Sequence, residues 1–442
     1  MKSLNEAAYK KFADTYEAQP EHTCIESAIS NVGLVEASKN KRVIQAHSFI
    51  FSQEIDHKNI TDQKQSGRCW LFAALNMARP AIMRELHLEA FELSQSYLYF
   101  FDNMEKTNVF LDKIIQTKHL DINSREVVRA LTFKTEDGGY FEYFKALIEK
   151  YGIVPKTVMG ESFHTENSQD MFARVEEIIK KYAMDIRRSE DDGQIETLKE
   201  ECLCKVYGIF VKCIGKPVEQ FDFEYKDKDN KYHIERNMTP RTFYKKYVAH
   251  TYENKIRLIH DPRARHPYGR VFVNPDIKNI VEMDGLKGLN VPTEVMKTAM
   301  IRSLQDGQSA WFACDVGKMS DRKTGIMDTR LFTYEETVAP VGTFTKADRL
   351  DSRQSVATHA MNITGVNVKD GKPVYWKVEN SWGDKNGHKG IFSMTDAWFD
   401  AYVYELIIDK KYVDSRYLQG FEQEPVPYSP YDAFCTILNY IK

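Results

Sequence analysis

The sequence has few cysteines, no strong excess of either charge and no long apolar run. Its seven cysteines are odd in number and irregularly spaced along 442 residues, which is typical of free thiols in a reducing compartment. The formal net charge of −3 gives no general attraction for nucleic acid or an anionic membrane. No stretch is apolar over the roughly 20 residues of a membrane helix, and the amino terminus lacks the apolar core of a signal peptide. We therefore expect a cytoplasmic protein that binds neither membranes nor nucleic acid.

The chain does contain enough apolar and aromatic side chains for a large core. Hydrophobic residues make up 42% and aromatic residues 12% of it, which argues against disorder. Up to about residue 210 apolar residues recur at intervals of three and four, which predicts helices. Beyond that point short apolar runs are typical of strands. These runs occupy residues 204–214, 309–317, 359–368 and 372–382. The pattern predicts an α+β protein with a helical half followed by a strand-rich half.

Cys69 lies where a loop gives way to a helix. The flexible pair Ser66-Gly67 precedes it, and a run of good helix formers follows. A thiol in the first turn of a helix faces unpaired N–H groups and the helix dipole, which lower its pKa and favour the reactive thiolate. Cys69 is therefore a candidate nucleophile if a base and an orienting group lie nearby. The alternative is a cysteine that simply packs at a helix start.

A predicted hairpin supplies the base and the orienting group. The Asp-Gly pair at residues 370–371 separates two strand-like runs and is a strong turn signal. A turn there pairs His359 with Trp382 and makes His359 a diagonal neighbour of Asn380, within side-chain reach. A bulge at Gly365 would shift this register by one residue.

These residues predict a Cys–His pair whose ring is held by a carboxamide. Asn380 fixes the tautomer of His359, which takes the thiol proton and later delivers it to the leaving amine. Trp382 covers the His–Asn contact and keeps water away. Gln63, together with the backbone N–H of Cys69, is a candidate oxyanion hole. For Gln63 alone the alternative is an ordinary loop amide.

Three long strings carry these residues: QKQSGRCWLFAALN at 63–76, THAMNITGV at 358–366 and YWKVENSWG at 375–383. Together with further segments in the same order, they resemble the bleomycin hydrolase / aminopeptidase C family of papain-like cysteine peptidases. The resemblance covers nearly the whole chain. It implies nucleophile, acid–base, orienting and oxyanion roles for Cys69, His359, Asn380 and Gln63, with no metal or cofactor.

The resemblance also implies a papain-like two-lobed fold with a helical lobe, an antiparallel β-barrel-like lobe and a large helical insertion. We expect an arm and the nucleophile helix in residues 1–84, and the rest of the helical lobe with its insertion in 85–210. The β-rich lobe then spans 211–420, and a carboxy-terminal tail spans 421–442. The family implies a homo-hexamer whose sites face an internal cavity.

Gly138 and Gly139 resemble the paired glycines that line the substrate cleft in papain-like enzymes. Without a Cβ atom such residues let an extended peptide approach closely. A glycine pair in a loop before a helix is the alternative, and both interpretations are open. Together with Trp382, these glycines are the candidate substrate-binding residues.

The tail bears on the type of peptidase. In the family the tail lies in the cleft and blocks one end, so that only a free amino terminus fits. Residues 429–434, SPYDAF, resemble that stretch, but the chain continues to Lys442. The resemblance implies an aminopeptidase acting on peptides through a thioester on Cys69. An endopeptidase or an autoinhibited form is the alternative, and a nucleic-acid-binding protein with a vestigial site is a third, which the near-neutral charge disfavours.

Overall fold

Helices make up the first half of the chain. The computed structural model describes residues 3–55, 58–132, 136–429 and 431–435. The helices of the first half are α1 Glu6–Glu17, α2 Glu21–Val32, α3 Leu34–Ala37, α4 Lys41–Ala46, α5 Cys69–Glu85, α6 Gln95–Thr117, α7 Arg125–Thr132, α8 Phe141–Tyr151, α9 Phe163–Glu166, α10 Gln169–Arg188 and α11 Asp192–Cys213. None of the helices in the described ranges is both long and apolar enough to cross a bilayer.

One predicted strand is wrong. Residues 204–214 were expected to be extended, but they form the end of α11 and the residue after it. The buried residues in and directly before this segment are Cys202, Val206, Phe210 and Ile214. Their spacing of four puts them on one helical face, and this tertiary burial outweighs the local strand-like alternation.

Strands dominate the second half. With the short β1, they are β1 Gln53–Glu54, β2 Phe221–Lys226, β3 Tyr232–Met238, β4 Lys255–Ile259, β5 Val271–Asn274, β6 Leu286–Asn290, β7 Ala310–Cys314, β8 Ser320–Asp321, β9 Ile326–Met327, β10 His359–Lys369, β11 Lys372–Glu379, β12 Ile391–Thr395, β13 Val403–Asp409 and β14 Val426–Pro427. The helices between them are α12 Pro240–Phe243, α13 Thr293–Gln305, α14 Tyr334–Thr337, α15 Lys346–Asp351, α16 Asp396–Tyr402 and α17 Ser415–Leu418. The predicted α+β class is confirmed.

One mixed sheet contains most of these strands. Its order is β14-β5-β6-β4-β13-β7-β10-β11-β12-β9-β8, with β1 added to β10, while β2 and β3 form a separate hairpin. Most neighbours are antiparallel, and β10 lies at the centre between β7 and β11. The strand that begins at His359 is therefore held on both sides.

The β10–β11 hairpin turns where the sequence predicts. The two residues at 370–371 both have positive φ, 51° and 74°, which the Asp-Gly pair tolerates. Two irregularities interrupt the pairing, one beside Gly365 as expected and one beside Asn367. They offset each other, so Asn362 pairs with Glu379, as it would without a bulge.

The nucleophile helix α5 is part of the hydrophobic core that is built mainly from helices, and the sheet carries a second core. Asn362 on β10 donates to the carbonyl of Ala73 at 2.7 Å. Trp311 on β7 donates through Nε1 to the carbonyl of Trp70 at 3.3 Å. Both bonds fix the first turns of α5 against the sheet.

Candidate active site

A cavity lies between the start of α5 and the start of β10. Cys69 and His359 both line it, and each is only 7% exposed. The rest of its wall is mostly apolar and includes Trp311, Tyr404 and Phe434. The two candidate catalytic side chains therefore share one largely dry space, although they are 290 residues apart in the chain (359 minus 69).

The Cys69 thiol lies at the helix start that the sequence predicts, since α5 begins at this residue. The backbone N–H groups of Ala360, Trp70 and Cys69 all face the sulfur and favour the thiolate. Burial nevertheless raises the pKa of the thiol to about 11. The N–H groups of the helix start lower the pKa of the thiol, as expected, but the loss of water around the sulfur outweighs them.

The imidazole of His359 is held from two sides. Its Nε2 donates to Oδ1 of Asn380 at 2.9 Å, as predicted. The backbone N–H of Ser381 donates to the same oxygen at 2.8 Å, so the carboxamide oxygen must face the ring. Burial lowers the pKa of His359 to about 4, which keeps the ring neutral near pH 7. A neutral ring with its proton on Nε2 leaves Nδ1 as an acceptor.

Trp382 stacks on the imidazole, with ring centroids 4.7 Å apart. The β10–β11 pairing ends at Asn362 and Glu379, so it does not include His359 and Trp382, but the two rings face each other as the predicted register requires. The guanidinium of Arg322 also lies over the indole of Trp382, 4.7 Å from the ring centroid. Trp382 does not line the cavity, so the structure places it as a cover on His359.

Gln63 is buried beside the nucleophile loop. Its Nε2 donates to the carbonyl of Ser66, and its Oε1 accepts a hydrogen bond from Ser381 Oγ at 2.7 Å. The amide orientation is thereby set, and Ser66 takes one of its two N–H groups. Gln63 is not part of the cavity wall, but it is tied to a residue three positions before Cys69.

Asp137 ties down both flanks of the nucleophile. Its carboxylate accepts from the backbone N–H of Gly67 at 2.8 Å and from the hydroxyl of Tyr99. Its carbonyl accepts from Nε1 of Trp70 at 2.7 Å. Gly67 and Trp70 lie on either side of Cys69, so one residue holds the loop and the helix start together. Sequence reasoning missed Asp137, and its place directly before the glycine pair was the available signal.

Gly138 and Gly139 differ in their surroundings. Gly139 lines the cavity, and a Cβ atom there would lie 2.4 Å from the ring of Trp70. A Cβ atom at Gly138 would meet nothing within 4 Å. The carbonyl of Gly138 accepts from Nζ of Lys106 at 2.6 Å. Only Gly139 forms part of the wall, and it needs to be small because Trp70 packs against it.

A buried group of charged residues, which the sequence patterns do not indicate, lies beside the cavity. Glu405 lines the cavity and is 2% exposed. Nε of Arg257 donates to it at 3.0 Å, and the same nitrogen lies 3.9 Å from Glu142. Burial raises the pKa of Glu142 to about 6 despite Arg257. Strands β4 and β13 and helix α8 bring these residues together, and no local motif marks them.

The tail reaches the cavity. Ala433 and Phe434 are part of its wall. Asp432 anchors them through an ion pair with buried Arg263 at 2.6 Å. Residues 436–442 of the predicted tail lie outside the described residues. Within the described ranges, no group of three or more His, Cys, Asp or Glu side chains is arranged to hold a metal ion.

Comparisons with known proteins cover nearly the whole chain. Aminopeptidase C from Listeria monocytogenes is 39% identical over 424 residues, which is 96% of each chain. Aminopeptidase C from Streptococcus thermophilus is 37% identical over 428 residues, again 96% of each. The crystal structure of PepW from Lactobacillus rhamnosis superposes with a TM-score of 0.95 at 37% identity, covering 98% of this chain and 99% of that one.

These matches confirm the family resemblance and the predicted fold class. The model of the Peptidase C1-like family matches residues 3–435. That span includes the nucleophile helix, the β10–β11 hairpin and the tail residues at the cavity. The chain therefore belongs to the Peptidase C1-like family.

Proposed function

We propose that the protein is a cysteine aminopeptidase, which hydrolyses peptide bonds at a free amino terminus through a thioester on Cys69. The observation that carries this proposal is that Cys69 and His359 share one cavity while Asn380 holds the ring. The names of the aminopeptidase C relatives support it.

The first step is proton transfer from Cys69 to Nδ1 of His359, because Nε2 is occupied by Asn380. The resulting thiolate is stabilised by the imidazolium and by the backbone N–H groups around the sulfur. It attacks the substrate carbonyl carbon, and the negative charge on the carbonyl oxygen is stabilised by the Cys69 N–H and the free N–H of Gln63.

The second step breaks the peptide bond. The tetrahedral intermediate expels the amine, which takes the proton from His359, and a thioester remains on Cys69. Water then attacks the thioester with His359 as the base and releases the acid. Trp382 shields the His359–Asn380 contact from water throughout.

The tail supports removal of residues from the amino end. Ala433 and Phe434 line the cavity beside Cys69. In this proposal they fill the space that residues preceding the first residue of the substrate would need, so only a free amino terminus fits. An endopeptidase or an autoinhibited form is the second candidate. The observation that favours it is that the chain continues beyond the cavity-lining residues to Lys442.

A comparison of matched peptides tests the proposal. Wild type should release amino acids stepwise from a free-amine peptide and leave the N-acetylated peptide intact, and Cys69→Ala should hydrolyse neither peptide. Cys202→Ala removes a different buried thiol and should retain full activity. Equal turnover of both peptides would favour the endopeptidase, and activity in Cys69→Ala would exclude a Cys69 thioester.

We also propose that the protein is a cytoplasmic homo-hexamer. Helices α1 and α2 have no buried residue. On α1 the aromatic side chains of Tyr9 and Phe12 are 61% and 53% exposed. An amphipathic hairpin with exposed aromatic side chains suits a contact with another copy. Sedimentation equilibrium should show six copies in wild type and smaller species for Phe12→Glu. A monomeric wild type would contradict the assembly, and recovery in a membrane or secreted fraction would contradict the location.

A further inference from the structure

A buried polar network lies beneath the candidate catalytic residues. Asn76, Arg79 and Glu379 are each at most 2% exposed. Nδ2 of Asn76 donates to Oε1 of Glu379 at 2.9 Å, and Nη1 of Arg79 donates to Oδ1 of Asn76 at 3.1 Å. Arg79 and Glu379 also form an ion pair at 3.4 Å.

The network joins three segments of the chain. Asn76 and Arg79 lie on α5, and Glu379 is the last residue of β11. Nδ2 of Asn76 donates at 3.0 Å to Oγ1 of Thr61, which is 2% exposed. Nη2 of Arg79 donates to the carbonyl of Asn59 at 2.8 Å, so the loop is held at two points.

Each of these segments carries one candidate catalytic residue close to its contact with the network. Thr61 is two positions before Gln63, and Glu379 directly precedes Asn380. Cys69 begins the helix on which Asn76 and Arg79 lie. A backbone rotation at Glu379 would move the Asn380 carboxamide, and with it the ring of His359.

Apolar packing alone would not set this register. Contacts between apolar side chains are non-directional, whereas each hydrogen bond here prescribes both a distance and an angle. A buried ion pair is weak evidence for net stability, since apolar residues of similar volume often replace it without loss. Proton transfer between thiol and imidazole, in contrast, depends on positions held to within about 0.5 Å.

We infer that Glu379, with Arg79 and Asn76, forms a positioning network that sets the nucleophile helix, the oxyanion loop and the Asn380 carboxamide relative to one another. This inference rests on the proposed cysteine-peptidase function. None of the three residues lines the cavity, so each acts through the chain segment that carries a candidate catalytic residue.

Replacing both buried charges with apolar side chains separates a positioning role of the network from a contribution to stability. Glu379→Gln leaves a buried guanidinium without its carboxylate, and both the melting temperature and kcat should fall. The double variant Arg79→Met with Glu379→Met removes both charges and should recover most of the melting temperature. Its kcat per titrated thiol should stay at least tenfold below wild type with KM within threefold. Its Cys69 should also react more slowly with iodoacetamide at neutral pH.

Lys297→Met is the matched control. Lys297 is 10% exposed at its side chain and pairs with Asp396 at 2.7 Å, and its helix α13 contributes no residue to the cavity. This variant should lose thermal stability but keep wild-type kcat per titrated thiol.

The outcomes separate the two hypotheses. A double variant with recovered stability and wild-type kcat would overturn the network while leaving the peptidase intact. A wild-type protein without Cys69-dependent hydrolysis would instead overturn the proposed function. If the double variant does not fold, Thr61→Val decides, since it removes one bond to Asn76 and no charge. Its kcat should fall at least threefold at unchanged KM, and an unchanged kcat would overturn the network.

Discussion

At the scale of single residues, burial holds both partners of the candidate catalytic pair neutral. It raises the pKa of the Cys69 thiol to about 11 and lowers the pKa of the His359 imidazole to about 4. Neither group is reactive alone, because a neutral thiol is a poor nucleophile. The thiolate therefore depends on the proton moving to His359, where the two new charges attract each other across the mostly apolar cavity that both residues line.

Removal of the imidazole should expose the raised thiol pKa. In His359→Ala, a thiol with a pKa of about 11 is ionised to only about one part in ten thousand at pH 7. Alkylation of Cys69 by iodoacetamide, followed by mass spectrometry, should be at least tenfold slower than in wild type at pH 7. The rate should keep rising up to pH 10, because deprotonation then comes from solvent. A wild-type rate at pH 7 would show that His359 does not control the thiol.

The two glycines before α8 should respond differently to a methyl group. Gly139→Ala places a Cβ atom against Trp70 and should lower the free energy of unfolding by about 1–3 kcal/mol. Gly138→Ala is the matched control, since its Cβ atom meets open space. Urea unfolding monitored by tryptophan fluorescence measures the free energy of unfolding of both variants. Equal stabilities of the two variants would contradict the packing role of Gly139.

At the scale of elements, the loop before α5 is fixed by Asp137. Asp137→Ala removes the acceptor of the Gly67 N–H and of the Tyr99 hydroxyl, and leaves both donors unpaired. We expect a loss of about 1–3 kcal/mol in unfolding free energy and at least a tenfold lower kcat, because the loop that positions Cys69 is released. Denaturant titration and active-site titration measure these effects.

Asp112→Ala provides the comparison for Asp137. Asp112 pairs with Lys199 on α11, and the two side chains are 29% and 23% exposed. A partly exposed pair of this kind contributes little, so stability should change by less than about 1 kcal/mol and kcat should not change. A loss in kcat as large as that of Asp137→Ala would argue against a specific role for Asp137.

At the scale of the whole molecule, the tail contributes two residues to the cavity wall. Ion pairing between Asp432 and Arg263 holds Ala433 and Phe434 against the wall, far in sequence from Cys69. We therefore expect a segment that carries no catalytic residue to control which substrates fit. The cavity wall around these tail residues contains residues from both halves of the chain.

Removal of the tail should relax the requirement for a free amino terminus. A variant that ends at Ser429 lacks the two wall residues, so an N-acetylated peptide should enter the opened cavity. The ratio of N-acetyl to free-amine turnover should rise at least tenfold, measured by fluorogenic peptides. Cys69→Ala in the same truncated chain should abolish both reactions. An unchanged ratio would show that the tail does not set the substrate class.

The sequence by itself determined the parts that depend on local chemistry. The Asp-Gly turn and the alternation of the strands placed His359 beside Asn380 and Trp382, because strand pairing next to a tight turn follows from the turn. Helix formers after Gly67 located the start of α5 at Cys69. Where the signal was ambiguous, as in residues 204–214, local alternation predicted a strand and burial of one helical face prevailed.

Only the tertiary structure decided the environment of these residues. The pKa of the Cys69 thiol depends on how completely water is excluded, which is a property of packing from both halves of the chain. Asp137, Glu405 and the network around Glu379 contact partners about 70 to 300 residues away, as in the bond between Asn76 and Glu379. No local pattern encodes such contacts, because they form only when distant elements have already packed.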